Sequence, residues 1–402
     1  MKPHSLLLLS ALAAASPHPA HQSPLGPTSP ESIIDASPFL SFHRDIVQIP
    51  SVTGTEHNVG TFIADFLAAH NFTVHKQAVD TGRFNIYAHP SQASNPEILV
   101  TSHIDTVPPF LNYNVTHPTN AADTVIAGRG TVDAKGSIAA QIFATLDILR
   151  SAPTAPLALL FVVGEETGGD GMRTFSTSEL NKPYHTIIFG EPTDLALVSG
   201  HKGMLGFEVI ATGHAAHSGY PWLGESAISA ILPALSRIDQ LGNVPDGLPS
   251  SPKYGKTTVN IGRVDAGVAA NVVPGHAAAD VAVRLAAGTP EEAREIVRAA
   301  VADATGGNPA VYAEFRTRME GYPPQDLDVD VAGFPVTTVN YGTDVPNLEV
   351  REREDGRPVR RYLYGPGSIH VAHGDNEAVT VGDLESAVDG YRRLIGAALQ
   401  RD

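Results

Sequence analysis

The spacing of apolar positions changes along the chain, and each change marks an element. Residues 58–70 (NVGTFIADFLAAH) carry apolar side chains at helical spacing and predict an amphipathic helix. Residues 98–102 form a short apolar run that stops at His103, the pattern of a strand buried on both faces. A helical pattern over 137–149 follows, then strand-like runs at 157–163 and 186–189. Strands alternating with helices predict a mostly parallel sheet covered on both faces.

After Pro192 the order changes. Residues 206–212 alternate as a strand, 226–241 are helical, and 257–264 and 277–285 are strand-like. Residues 290–304 (PEEAREIVRAAVADA) predict a helix whose first turn is acidic, which suits the helix dipole. This β-α-β-β-α order describes a small α+β unit inserted into the first domain. The chain ends in a helical pattern over 383–399. The expected fold is therefore α/β. A discontinuous catalytic domain (35–197 and 313–402) has a mostly parallel central sheet, and an α+β lid (198–312) is inserted into it.

Composition narrows the function. A formal charge of −16 over 402 residues argues against nucleic acid or anionic lipid as a partner. Lys2 and His4 precede an apolar stretch over 6–15 with small residues at Ala13 and Ala15, an export-signal pattern for 1–15. The stretch is too short to span a bilayer, and no other run approaches about 20 apolar residues. A lead-in rich in Pro, His and Ser is expected over 16–34. The sequons at Asn71 and Asn114 agree with a secreted, extracellular glycoprotein. With no cysteine in the chain, any metal must be held by His, Asp and Glu.

Ligands of open α/β sheets sit beyond the carboxyl ends of the strands, and metal-type residues cluster there. His103 and Asp105 lie in TSHIDTVP, Asp133 in GRGTVDAKG, Glu165 and Glu166 in VVGEETGGDG, Glu191 in FGEPTD, and His373 in GPGSIHVAHGDNE. Taken singly, His103 reads as a core histidine, Asp133 as a turn or N-cap residue, and the Glu pair as a solvated surface pair. Together they converge. Two adjacent acids leaving a buried strand need a cation to offset their repulsion.

These five motifs, in this order, resemble the co-catalytic zinc hydrolases that include carboxypeptidase G, aminoacylase and acetylornithine deacetylase. The resemblance covers nearly all of the chain after residue ~35. It implies two zinc ions per subunit, with cobalt or manganese as substitutes. Asp133 would bridge them, His103 and Glu191 would complete one ion's ligands, and Glu166 and His373 the other's. Asp105 would orient His103, and Glu165 would be the general base acting on a metal-activated water. The resemblance also implies His217, in GHAAHSGYP, supplied across a homodimer interface made by the lid. Asn271, Arg284 and Gly367 are candidates for holding the substrate. Relatives often place a Trp where Pro109, Phe110 and Tyr113 stand, which puts pocket shape in doubt.

No G-x-S-x-G elbow is present, and the Lys-Gly-Ser order in GRGTVDAKGS does not match a phosphate-binding loop. Secretion favours a carboxypeptidase acting on peptides. An N-acyl amino-acid deacylase is the alternative, and a catalytically silent peptide-binding relative a more distant one.

Overall fold

The computed structural model describes residues 30–401 apart from 94, 117–119 and 316–320. The expected export segment lies outside the described residues, as does the lead-in up to residue 29. Helix α1 (Pro30–Ala36) overlaps the end of the expected lead-in, and its Ile34 is buried in the core.

The catalytic unit begins with α1, α2 (Pro38–Gln48) and α3 (His57–Ala69). A hairpin, β1 (Phe72–Asp80) and β2 (Arg83–Pro90), precedes β3 (Ile98–His103). Then come α4 (Lys135–Ser151), β4 (Leu157–Val162), the short α5 (Asp170–Ser176) and β5 (Thr186–Gly190). The lid follows as β6 (Gly203–Thr212), α6 (Ala227–Asp239), β7 (Thr258–Ala266), β8 (His276–Leu285), α7 (Pro290–Ala304) and β9 (Val311–Glu314). The chain returns through β10 (Arg360–Tyr364) and ends in α8 (Val381–Leu399).

The central sheet runs β1-β2-β4-β3-β5-β10. Strands β4, β3, β5 and β10 are mutually parallel, and the β1–β2 hairpin joins antiparallel at one edge. Every residue of β3, β4 and β5 is buried, which explains their unbroken apolar runs. Helix α4 is buried nearly all round in its first half, because it lies between the sheet and α8. Lys135, at its start, is buried too. Its ammonium donates to the carbonyls of Ile46 and Ile49 at the end of α2 (2.9 Å each), so it serves a helix C-terminus and no phosphate.

The lid sheet runs β7-β8-β6-β9, all antiparallel, with α6 and α7 against it. It has its own core around Leu205, Phe207, Val209, Val283 and Ile231. Helix α7 starts at Pro290 behind a capping box: Thr289 accepts from Glu292 N (3.3 Å), and Glu292 accepts from Thr289 N (2.8 Å). Between the two units, residues 197–201 pair with 325–326 and 336–339 in a small sheet that packs on β10. The antiparallel lid sheet starts at Gly203, and the strand before it, 197–201, pairs back to the catalytic side. No helix among the described residues is long and apolar enough to cross a membrane.

Candidate metal centre

The parallel strands all deliver chemistry at the same end. His103 is the last residue of β3, Glu191 follows β5 directly, and Glu165 and Glu166 sit in the turn after β4. Asp133 lies two residues before α4 and makes no helix-cap bond. His373 comes from the loop before α8 in a left-handed backbone conformation (φ 63°).

Two ligand groups form around Asp133. His103, Asp133 and Glu191 are buried and offer donor atoms within 4.8 Å of one another; Asp133, Glu166 and His373 form the second such group. Asp133 divides its carboxylate between them. Oδ1 is 3.0 Å from His103 Nε2, and Oδ2 is 3.3 Å from His373 Nε2. Glu191 Oε2 is 3.7 Å from His103 Nε2, and Glu166 Oε2 is 3.0 Å from His373 Nε2. Glu166 Oε1 is buried with no hydrogen-bond partner, as expected of an oxygen reserved for a cation. The donor set, two imidazoles and three carboxylates, suits zinc or a similar divalent ion.

The electrostatics point the same way. Hydrogen bonds to Asp133 and Glu166 push the His373 imidazole up to about 10. Burial opposes protonation of His103, but the Glu191 charge and hydrogen bonds to Asp105 and Asp133 outweigh it and raise its pKa. Burial, then the Glu191 charge, holds Glu165 well above the ordinary carboxyl range. Without cations, protons neutralise this acidic cluster, and bound cations would displace them.

The Asp105 carboxylate gathers several donors. Its oxygens accept from Glu165 N (3.1 Å), Glu166 N (3.2 Å) and the Thr53 hydroxyl (2.7 Å). His103 Nδ1 is closer to the Asp105 backbone oxygen (3.0 Å) than to its carboxylate (3.5 Å). Sequence reasoning missed Glu377. Its Oε1 accepts from the amides of Gly130, Val132 and Asp133 (2.9, 3.0 and 3.2 Å), and its Oε2 from Arg129 Nη1 (2.6 Å). Arg129 also reaches the His373 carbonyl (3.5 Å), so this buried pair ties the Asp133 and His373 loops together. The only signal available was its place four residues after His373.

A cavity of about 370 Å³ opens over both groups and reaches the lid. Glu165 and Arg284 line it. Gly367 lies instead in a neighbouring depression with Asp194 and Ser368. His217 and Asn271 are exposed on the lid outside the cavity, where Ser218 N donates to the Asn271 carbonyl (3.0 Å). Pro109, Phe110 and Tyr113 do not line the cavity either, so they do not shape it in the way expected from their departure. Asn71 and Asn114 are both exposed, Asn71 in the turn between α3 and β1.

Residues 199–309 match the peptidase dimerisation domain of the M20 family. The whole chain is 71% identical to a probable carboxypeptidase of Aspergillus flavus, over 99% of each. The chain belongs to the M20 metallopeptidase family. Among solved structures, a tripeptidase of Staphylococcus aureus superposes with a TM-score of 0.71 at 20% identity, covering 90% of this chain and 98% of that one. An M20 family metallo-carboxypeptidase of Sulfolobus solfataricus gives 0.68 at 16%, covering 90% and 99%.

Proposed function

We propose that this chain is a secreted, co-catalytic zinc carboxypeptidase acting on peptides, with Glu165 as general base. The observation that carries the two-ion reading is the divided carboxylate of Asp133, which faces His103 with one oxygen and His373 with the other. His103, Asp133 and Glu191 would hold one zinc, and Asp133, Glu166 and His373 the second. Bound zinc would polarise the amide carbonyl and acidify water towards neutrality.

The remaining chemistry belongs to the protein. Glu165 lines the cavity without joining either ligand group. It takes a proton from the water that adds to the carbonyl carbon, then delivers it to the nitrogen as the C–N bond breaks. Asp105 holds Glu165 in place through its backbone amide. Arg284 presents a guanidinium to the substrate's carboxylate. The likeness to a probable carboxypeptidase supports the choice of peptide bond.

The protein would act as a homodimer through the lid, with His217 reaching the partner's cleft. Of the eight large apolar side chains exposed among the described residues, six fall within the matched dimerisation segment. Tyr220, Trp222 and Leu223 lie three to six residues after His217. Export is supported by the apolar N-terminal stretch and by the exposure of both sequon asparagines.

The test is hydrolysis of C-terminal peptides beside N-acetyl amino acids by wild-type protein and Glu165→Ala, each with zinc and after chelation. Cleavage of the peptides by zinc-loaded wild type alone is expected. Preference for the N-acetyl amino acids would make the protein a deacylase. Wild-type rates in Glu165→Ala would refute the base assignment.

A further inference from the structure

The two ligand groups are not held with equal firmness. His103, Glu166 and Glu191 stand at or just past the ends of the buried strands β3, β4 and β5. Asp133 and His373 come from loops outside the central sheet, and those loops are joined to each other. Strand Ala378–Thr380 pairs antiparallel with Val125–Ala127, which pairs in turn with Asn114–Thr116. Gly128 N then donates to the Glu377 carbonyl (3.1 Å), so the pairing runs on to Glu377. Antiparallel partners leave a sheet at the same end. Asp133 therefore follows Ala127, and His373 precedes Ala378, on the same side of this small sheet.

Where the backbone pairing stops, the buried Arg129–Glu377 pair takes over (side chains 1% and 0% exposed). Glu377 Oε1 gathers the amides of Gly130, Val132 and Asp133, and Oε2 accepts from Arg129 Nη1. Arg129 sends its other nitrogens outward, Nε to the Pro109 carbonyl (3.2 Å) and Nη2 to the His373 carbonyl (3.5 Å). Around His373 the other backbone bonds stay within its own loop, from Val371 N to Ser368 O and from Gly374 N to Val371 O. Packing gives little help there. The His373 side chain is 54% exposed, whereas the other four ligand side chains are 1–9% exposed. A buried ion pair is seldom more stabilising than apolar residues of the same volume. What this one supplies is placement, because its bonds end on the backbone of both ligand loops.

We propose that the Arg129–Glu377 pair positions His373 against Asp133 and Glu166, and so decides whether the chain holds two ions or one. The inference rests on the two-ion reading above and deepens it. The group of His103 and Glu191 has its own supports, since strand ends carry both and His103 Nδ1 lies 3.0 Å from the Asp105 carbonyl. The group of Glu166 and His373 depends on a loop that Arg129 ties down. Glu377→Gln separates the two roles of the pair. Its amide oxygen can still accept from the three backbone amides, but its NH2 group then faces Arg129, donor against donor. Asp133 keeps its anchor, and the link to His373 is broken.

The test strips zinc from the holoenzyme with a chelator and returns it under calorimetry, with chelator competition for the tighter step. Wild type should take up two ions per chain. Glu377→Gln should bind the first as wild type does and the second roughly 10- to 100-fold more weakly, the usual loss when support of a ligand is removed. His373→Ala should lose the second ion, and adding Glu377→Gln to it should cost the first ion nothing more. A pair that merely stabilises the fold would weaken both steps alike. That result, or two wild-type affinities in Glu377→Gln, would overturn the inference and spare the two-ion reading. Should Glu377→Gln not fold, Arg129→Lys decides. Lysine keeps the charge beside Glu377, but its single nitrogen cannot also reach the Pro109 and His373 carbonyls. The second ion alone should weaken, and an unchanged second ion would overturn the inference. One ion per wild-type chain would overturn the two-ion reading itself, and the inference with it.

Discussion

Asp105 is buried, yet each of its carboxylate oxygens is occupied. The Glu165 and Glu166 amides, the Thr53 hydroxyl and the His103 ring all converge on it. Burial opposes its ionisation, but the hydrogen bond and charge of His103 hold its pKa below the usual range. Asp105→Asn keeps the shape and removes the charge. It should weaken zinc binding 10- to 100-fold, as loss of a carboxylate supporting a ligand histidine does. Competition against a chelator of known affinity measures this, and an unchanged affinity would show that shape alone suffices.

His373 gives a pH prediction of definite sign. Free imidazole titrates near 6.5, and in the metal-free site His373 is pushed up to about 10. The metal-free protein therefore carries a proton there at pH 7, and a zinc ligand must be neutral. Zinc uptake should release protons at pH 7, and affinity should rise with pH until about 10. Titration calorimetry in buffers of different ionisation enthalpy reads this directly. Heats independent of buffer would contradict it.

Among the elements, α7 shows how local chemistry secures a unit. The sequence predicts a helix over 290–304, and the structure has it at the same bounds, because Pro290 starts it and the Thr289–Glu292 box closes its first turn. Thr289→Ala should destabilise the lid by about 1 kcal/mol. Faster hydrogen exchange in the lid, with kcat unchanged, is the expected reading. The buried strands were equally legible, since an unbroken apolar run bounded by His103 or Gly190 leaves few alternatives. Helix α2 was not singled out, although Phe39, Leu40, Phe42, Ile46 and Val47 are buried on it. It starts at Pro38, close behind a Pro-rich stretch, so its apolar positions have few residues before them to establish a helical period. The β1–β2 hairpin also escaped notice, because edge strands with one solvated face carry His75, Lys76 and Gln77 among their apolar positions.

For the whole molecule, the arrangement of lid and catalytic unit raises the question of which chain completes which cleft. His217 lies outside the cavity of its own chain, on an exposed aromatic surface. If the partner supplies it, His217→Ala and Glu165→Gln should each be inactive alone and should complement when mixed. Random reassortment makes half the dimers mixed, each with one intact cleft, so roughly a quarter of wild-type activity should return. No recovery on mixing would refute supply by the partner, and full activity of His217→Ala alone would place His217 outside the reaction.

The alternation of strand and helix is legible in local sequence, and the candidate ligands stand out only together and through the family resemblance. The alternation depends on short-range facts, since a buried strand must be apolar, and His103 and Glu191 stand where such strands end. Other features depend on residues far apart in the chain. Glu377 reaches the Asp133 loop across 244 positions. Tyr322 comes beside Arg284 only because both pair with Met204 of β6. Gly342 is significant only because the Tyr322 hydroxyl, distant in sequence, lies where a Cβ at 342 would stand. Sequence periodicity records which face of an element is buried. Which residues meet across that face is set by strand order and register, and those exist only once the chain has folded.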